Sequence, residues 1–299
     1  MDTIVVGVDG SESATRALDW AAAEARRARA ELTIVGAWSY GGHLASVPAP
    51  ADAARRVVRE ALARVAERYP EVTVRDAVSE GTPSYVLIDA AHDADLLVVG
   101  SRGLGGFRGL LLGSVSQHCL NHAACTVVVV RSPVPATPLG AEASSRRIVV
   151  GVDGSPGAGW ALRWSVGEAR RTGAVLDVIA SSVFAGLTGY AVSIETDVLG
   201  AARQIARDAQ VQVGSQAEDV TVLTSVSGDP PAVALVDASR DADLVVVGAK
   251  GHHGLRGLLL GSVSLYVARN AYCPVAVVRH ADTRLHTEPP TGSPTGGTA

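Results

Sequence analysis

The stretch Ile4-Val-Val-Gly-Val-Asp-Gly-Ser11 recurs residue for residue as Ile148-Val-Val-Gly-Val-Asp-Gly-Ser155, 144 residues further along the chain. A later segment, Arg108-Gly-Leu-Leu-Leu-Gly-Ser-Val-Ser116, recurs as Arg256-Gly-Leu-Leu-Leu-Gly-Ser-Val-Ser264 at an offset of 148. Solenoid repeats have periods of roughly 20 to 50 residues, so a period this long describes a whole domain. The chain is therefore predicted to be a tandem duplication of one domain.

Each copy opens with a strand of the kind that is covered on both faces of a parallel sheet. The run 3–8 is rich in β-branched residues, and Ser11 or Ser13 can cap the helix that follows it. The alternation continues with strands expected over 32–38, 72–78, 95–100 and 125–131 and helices over 52–68, 83–92 and 114–123. Strict alternation requires right-handed crossovers. It predicts an α/β fold of two tandem, doubly wound, Rossmann-like domains, each with a five-stranded parallel sheet.

The domain limits follow from composition. The segment 132–145 is rich in proline and small residues and is predicted to be a linker, and the tail 281–299 is predicted to be disordered. The two domains are then expected over 1–131 and 146–280. We expect them to pack face to face as an internal pseudo-dimer, with the last strand able to present an edge.

Composition excludes several classes of function. Of 299 residues, 47% are hydrophobic and 4% aromatic, and the net charge is -4, so neither disorder nor nucleic-acid binding is favoured. The N-terminus lacks a signal-peptide pattern, and every apolar run is shorter than the roughly 20 residues of a membrane span. Three cysteines make no paired framework. We therefore expect a cytoplasmic protein that neither crosses nor binds a membrane.

Two glycine loops carry the strongest chemical signal. The spacing Gly100-x2-Gly103-x9-Gly113-Ser114 recurs as Gly248-x2-Gly251-x9-Gly261-Ser262. Glycines allow the main chain to approach phosphate oxygens, and a helix N-terminus offers N–H groups and partial positive charge. The pattern predicts anion capture, for which a triphosphate is suitable. The alternative is that these glycines serve only tight turns and helix caps.

Both halves resemble the universal stress protein superfamily in its tandem form. The resemblance rests on the Val-Gly-Val-Asp-Gly-Ser motif of the first strand and its turn, on the glycine loop, and on the closing runs Cys125-Thr-Val-Val-Val-Val-Arg131 and Cys273-Pro-Val-Ala-Val-Val-Arg279. It covers about 1–131 and 146–280, and the loop is that of the ATP-binding branch. It implies an adenine nucleotide alpha hydrolase-like sheet of order 3-2-1-4-5. It also implies an ATP-binding regulator of stress or dormancy, with Mg²⁺ as a further expectation.

The resemblance assigns nucleotide-binding roles residue by residue. In the first half the expected residues are Gly7, Asp9, Gly100, Ser101, Arg102, Gly103, Leu104, Gly105, Gly106, Gly113, Ser114 and Val115. In the second half they are Gly151, Asp153, Gly248, Ala249, Lys250, Gly251, His252, His253, Gly254, Gly261, Ser262 and Val263. The two aspartates would contact the ribose hydroxyls or a divalent cation; otherwise they are turn or cap residues. Ala37 and Ala180 are expected to contact adenine through backbone groups.

Other chemistry is weakly supported. The run His118-Cys119-x2-His122-x2-Cys125 resembles a zinc site, but its repeat partner lacks the histidines, so no metal-ligating residue is expected. Neither a Gly-x4-Gly-Lys-Ser/Thr loop nor a Gly-x-Ser-x-Gly turn is present. Arg102, Arg108, Lys250 and Arg256 could approach phosphates or be solvated loop charges.

The resulting hypothesis is ATP binding with little turnover and no catalytic residue. Such a module would be recognised by a regulatory protein partner or by a second copy in a homodimer. An enzyme with slow ATPase or adenylyl-transfer activity is the alternative, and a scaffold with vestigial loops is a third reading.

Overall fold

The structure is a computed structural model that describes residues 1–39, 50–104, 111–131, 146–181, 194–214, 219–251 and 260–279. The predicted linker 132–145 and tail 281–299 lie outside these residues. The same is true of several predicted loop residues, namely Gly105, Gly106, Arg108, His252, His253, Gly254 and Arg256. The domain limits proposed from the sequence remain predictions.

The first half alternates strands and helices as its sequence predicts. Its strands are β1 (Thr3–Val8), β2 (Glu31–Trp38), β3 (Val74–Glu80), β4 (Leu96–Gly100) and β5 (Thr126–Val130). Its helices are α1 (Glu12–Ala28), α2 (Pro50–Arg68), α3 (Pro83–Ala90) and α4 (Ser114–His122). Strand β3 begins later than expected because the N–H of Val72 closes a turn on the carbonyl of Tyr69.

The second half repeats the plan. Its strands are β6 (Arg147–Val152), β7 (Val175–Ser181), β8 (Val222–Ser227), β9 (Leu244–Gly248) and β10 (Val275–Val278). Its helices are α5 (Pro156–Thr172), α6 (Ile194–Gly214), α7 (Pro231–Ala238) and α8 (Ser262–Asn270). Ser11 and Ser155 cap α1 and α5 through their side chains, so the duplicated Asp-Gly-Ser sequence performs the same local task twice.

All ten strands form one sheet, in the order β3-β2-β1-β4-β5-β10-β9-β6-β7-β8. Each half has the expected order 3-2-1-4-5 with parallel pairing, but the two halves do not form separate sheets. Strands β5 and β10 pair antiparallel, with Val128 opposite Ala276 at the centre of the register. The expectation of face-to-face packing is therefore wrong: the halves join edge to edge, because each last strand supplies the unpaired edge that the other needs.

Apolar residues fill both sides of this sheet. Helices α1, α2, α5 and α6 cover one face, with fully buried residues such as Leu18 and Leu162. Helices α3, α4, α7 and α8 cover the other face, with Leu120 and Val267 among the buried residues. The sheet is thus doubly wound, and a ligand of such a fold binds beyond the carboxyl ends of the strands. Because β5 and β10 pair antiparallel, the carboxyl ends of the two halves point in opposite directions.

Candidate functional site

The first candidate site lies where β1 and β4 end side by side. These strands are neighbours in the sheet, with Val6 paired to Val98, and the chain leaves them toward opposite edges. Such a reversal of strand order opens a crevice beyond the carboxyl ends of the strands. The topology therefore brings together the two segments that the sequence singles out, the Asp9 turn and the loop that begins at Gly100.

Asp9 connects the two segments through its carboxylate. Its Oδ1 accepts a hydrogen bond from the N–H of Ser11 at 2.9 Å, and its Oδ2 accepts one from the N–H of Leu104 at 3.1 Å. Gly103 passes so close that a Cβ there would lie 2.5 Å from Oδ2. The turn role and a site role thus coexist, because the carboxylate closes its own turn and also anchors the exposed glycine loop.

Gly100 is required by the packing of β4 on the start of α1. A Cβ at this position would lie 2.6 Å from Oγ of Ser13 and 2.8 Å from the Ser13 carbonyl carbon and oxygen. The Ser13 hydroxyl also accepts from the N–H of Arg102 at 3.3 Å. Ser13 was not among the predicted site residues, although it holds the loop in place.

Helix α4 begins directly above this loop. The N–H of Gly113 donates to the carbonyl of Ser101 at 2.7 Å, and the hydroxyl of Ser116 donates to the carbonyl of Gly100 at 2.6 Å. No side chain caps the helix, and Ser114 in its first turn is exposed. The first turn of α4 therefore presents main-chain N–H groups and one hydroxyl beside the loop, which is the arrangement that binds anions.

The predicted residues of the first half fall into two groups. Ser101 is buried and donates its N–H to Val130, and the N–H of Gly113 is also engaged, so both position the loop. Arg102, Gly103, Leu104 and Ser114 are exposed and face solvent. Gly7 makes room for helix α3, since a Cβ there would lie 2.7 Å from Leu87.

The second half reproduces this geometry. The exposed loop residues are Lys250 and Gly251, and the exposed helix residue is Ser262. Three hydrogen bonds match the first half: Asp153 Oδ1 accepts from Ser155 at 2.9 Å, Gly261 donates to Ala249 at 2.7 Å, and Ser264 donates to Gly248 at 2.6 Å. A Cβ on Gly251 would clash with Asp153, and a Cβ on Gly151 would lie 2.7 Å from Leu235.

One difference distinguishes the two halves. The position of Ser13 is occupied by Gly157 in the second half, where the carbonyl of Lys250 fills the space that a side chain would need. Ala249 is buried, as Ser101 is. The loop after β9 therefore lies closer to its helix than the loop after β4.

Positive charge lies beneath the first loop. Arg131 follows β5, and both its burial and the nearby positive charge of Arg102 lower the pKa of its guanidinium. Its Nη1 donates to the carbonyl of Leu111 at 3.1 Å, in the segment that leads into α4. The two guanidinium groups and the N-terminus of α4 therefore all favour the binding of an anion beside this loop.

The adenine-contact prediction chose two positions that are not equivalent. Ala180 pairs with Val152 at the end of β7 and is fully buried, whereas Ala37 lies one step further along β2, where its counterpart is Ser181. The structural equivalent of Ala180 is Gly36, which makes room for Val58.

The cysteines and histidines do not form a metal cluster in the described part of the chain. Burial raises the pKa of Cys119 to about 12 and that of Cys125 to about 11, so both thiols are protonated at neutral pH. His118 and His122 stack on each other on α4, with ring centroids 4.2 Å apart. Cys119 is instead part of the apolar core.

Ser116 and Ser264 are the site residues that sequence reasoning missed most clearly. Each is buried, and its hydroxyl donates a hydrogen bond that joins its helix to the last residue of the preceding strand. Both stand in the repeated Gly-Ser-Val-Ser sequence, so the duplication itself was the signal that could have identified them.

A family model supports this reading of the repeated geometry. The model of the universal stress protein family matches the chain twice, over residues 1–131 and 144–279. The chain belongs to the universal stress protein family. The resemblance inferred from the sequence is thus confirmed, as is the tandem arrangement.

Several known universal stress proteins are similar over nearly their whole length. One from Mycolicibacterium smegmatis is 35% identical over 292 residues, covering 92% of this chain and 96% of the relative. Universal stress protein Rv2623 of Mycobacterium tuberculosis is 32% identical over 291 residues, covering 94% and 97%. The crystal structure of one from Archaeoglobus fulgidus superposes with a TM-score of 0.69 at 21% identity, covering 93% and 98%, and shows the shared fold. Within the described residues, no helix has the length and apolar character of a bilayer span.

Proposed function

We propose that this universal stress protein binds ATP in the crevice beyond β1 and β4, and in the equivalent crevice beyond β6 and β9. The observation that carries the proposal is the duplicated contact between the aspartate of one strand end and the glycine of the other, at Asp9 with Gly103 and Asp153 with Gly251. A close approach of this kind is built twice, beside a helix start that has no side-chain cap in either half.

The donor set suits a nucleoside triphosphate. The first turns of α4 and α8 supply main-chain N–H groups for phosphate oxygens, and Ser114 and Ser262 add exposed hydroxyls. Arg102 and Lys250 supply the positive charge on the loops. Mg²⁺ would arrive with the nucleotide, because it is bound largely through phosphates and water, with one or two carboxylates as protein ligands.

Binding without rapid hydrolysis is part of the proposal. Phosphoryl transfer needs a group that orients the attacking water. Both carboxylate oxygens of Asp9 already accept main-chain N–H groups, from Ser11 and Leu104. A carboxylate held in this way is suited to fixing a loop rather than to moving a proton. We therefore assign it no catalytic role.

The biological role that fits is regulatory. Nucleotide contacts to the Gly103 and Gly251 loops would favour one loop conformation, and a partner protein or a second copy would read the altered surface. We propose the cytoplasm as the compartment, since three free, buried cysteines suit reducing conditions.

The test begins with the protein purified without added nucleotide. Denaturation followed by chromatography and mass spectrometry identifies what is released. About two ATP per chain supports the proposal, mostly ADP supports slow hydrolysis instead, and an empty protein that also fails to bind added ATP with magnesium contradicts it.

Loop variants then locate the sites. Gly103→Val pushes a side chain into Asp9 and should remove one equivalent of ATP, and Gly251→Val should remove the other. Gly200→Ala is the control, because a Cβ on Gly200 meets nothing within 4 Å. Equal ATP binding by all variants would mean that the nucleotide binds away from these two loops, and would contradict the proposed sites.

A further inference from the structure

Arg131 and Arg279 occupy equivalent places in the two halves, directly after β5 and β10. Because these strands pair antiparallel, each arginine emerges beside the last helix of the opposite half. The side chains cross the junction in both directions. This exchange is a property of the joined sheet and has no counterpart inside a single half.

The contacts are made to carbonyl groups at the ends of helices. Arg131 Nη1 donates to the carbonyl of Ala268 in α8 at 3.0 Å. Arg279 Nη2 donates to the carbonyls of Leu120 and Asn121 in α4, the latter at 3.0 Å. The last four carbonyls of a helix lack intrahelical partners, and a cation there is favourable to the helix dipole.

Burial strengthens the hydrogen bonds that these two arginines make. Both arginines are half-buried, and this burial lowers the pKa of their guanidinium groups. In a medium of low dielectric constant, a hydrogen bond from a charged donor is stronger than in water. Arg269 of α8 adds a third link across the junction, donating to Oε1 of Gln117 in α4 at 3.0 Å.

The helices that are held in this way are those whose other ends form the candidate phosphate sites. Helix α4 has nine residues, so Asn121 lies about two turns from Ser114. A helix that short moves as a rigid body. Its carboxyl end therefore fixes where its N–H groups point.

We infer that Arg131 and Arg279 are positioning residues, each holding the phosphate-binding helix of the opposite half from its carboxyl end. The inference rests on the proposed ATP binding. Arg131 has a second task, because it also holds the carbonyl of Leu111 ahead of α4 in its own half. The guanidinium group of Arg131 thus contacts a carbonyl beside the first site, that of Leu111, and a carbonyl of the helix that forms the second site, that of Ala268.

The decisive variants are made with one site disabled. In a Gly251→Val background only the first site remains. Arg279→Gln, although it lies in the second half, should weaken the ATP affinity of that first site by about fivefold or more. In a Gly103→Val background, Arg131→Gln should weaken the second site similarly. Titration calorimetry with ATP and magnesium measures both.

A matched control separates positioning from lost stability. Val178→Ala removes buried volume from β7 in the second half, far from the junction strands in the sheet order. In the Gly251→Val background it should lower stability without changing the ATP affinity of the first site. Arg279→Lys should restore part of the affinity, because an ammonium group also donates to carbonyls. Equal weakening by Val178→Ala, or no weakening by Arg279→Gln, would overturn the inference.

Hydrogen exchange tests the same inference without a ligand. Arg279→Gln should speed exchange in α4 relative to Val178→Ala. If the unmodified protein binds no ATP, the proposed function fails, and faster exchange in α4 still supports the positioning role. Unchanged exchange in α4 would contradict that role whether or not ATP binds.

Discussion

Asp9 and Leu104 are 95 residues apart in the chain, yet Oδ2 of the first accepts the N–H of the second at 3.1 Å. The hydrogen bond ties the turn after β1 to the glycine loop after β4. It exists because the two strands are neighbours in the sheet, although five elements, from α1 to α3, separate them along the chain. The carboxylate thereby sets the position of the loop before any ligand arrives.

Asp9→Asn tests this link. The amide replaces one acceptor oxygen by an N–H₂ donor, which cannot serve both main-chain N–H groups. We expect ATP affinity at the first site to fall roughly tenfold, the equivalent of about 1.4 kcal/mol. Calorimetry in a Gly251→Val background measures the change. Asp76→Asn, on the exposed strand β3, is the control and should leave affinity unaltered.

Gly100→Ala tests the close approach of β4 to α1. The new Cβ would lie 2.8 Å from the main chain of Ser13, which is backbone and has little freedom to yield. Overpacking of this kind costs about 1 to 3 kcal/mol. Urea denaturation should show that loss in the free energy of unfolding.

The paired control is Gly200→Ala in α6. Its Cβ meets nothing within 4 Å, and alanine is the better helix former by roughly 1 kcal/mol. That variant should be slightly more stable than the unmodified protein. If both variants changed stability by the same amount, the approach at Gly100 would not be the cause.

The local sequence pattern was sufficient to predict the strands and helices and the part of the fold where the candidate site lies. The β-branched run of β1 and the cap at Ser11 lie where the sequence puts them, and the repeat predicts the second half. The junction was not accessible in this way. Thr126-Val-Val-Val-Val130 has the same pattern whether its far edge meets another strand or solvent, so nothing in it chooses between edge pairing and face packing.

Sequence reasoning also could not decide which loop groups are available to a ligand. Ser101 and Gly113 are both predicted nucleotide-binding residues, but the N–H of Ser101 donates to the carbonyl of Val130 and the N–H of Gly113 donates to the carbonyl of Ser101. Those partners come from β5 and from the fold of the loop. Only the three-dimensional path of the main chain distinguishes a ligand donor from a structural donor.

The three cysteines provide a test of core packing. Burial raises the pKa of Cys273 to about 12, close to that of Cys119, and the thiolate is the reactive form. We expect a thiol-specific reagent at mildly alkaline pH to label none of the three in the folded protein. All three should react once guanidinium unfolds the chain. Fast labelling of the folded protein would place at least one thiol outside the core.

The two halves also meet at a cluster of buried charges. Glu24 of α1 is fully buried and Glu168 of α5 nearly so, at equivalent positions of the repeat. Arg27 donates to Glu24 at 2.7 Å, and Arg171 contacts both carboxylates, that of Glu24 at 3.5 Å. The helical spacing of α1 places Glu24 on the stripe of buried alanines, where a sequence alone would predict an apolar residue.

Glu168 should make stability depend on pH. Burial, and then the negative charge of Glu24, raise its pKa from 4.5 to about 7, against the opposing effect of Arg171 and Arg27. The folded protein therefore keeps a proton that the unfolded chain releases above pH 4.5. The stability that this proton provides is fully present below pH 4.5. It is lost as the pH rises from there to about 7, at about 1 kcal/mol per pH unit.

Glu168→Gln removes this titration, because the amide is neutral at every pH. We expect the variant to gain stability relative to the unmodified protein between about pH 5 and about pH 8, measured by urea denaturation at each pH. Glu60→Gln, at an exposed position of α2, should follow the unmodified protein throughout. Parallel curves for Glu168→Gln and the unmodified protein would mean that Arg171 and Arg27 keep Glu168 ionised in the fold. The contact between α1 and α5 would then hold a carboxylate that stays ionised, instead of one that takes up a proton as the pH falls.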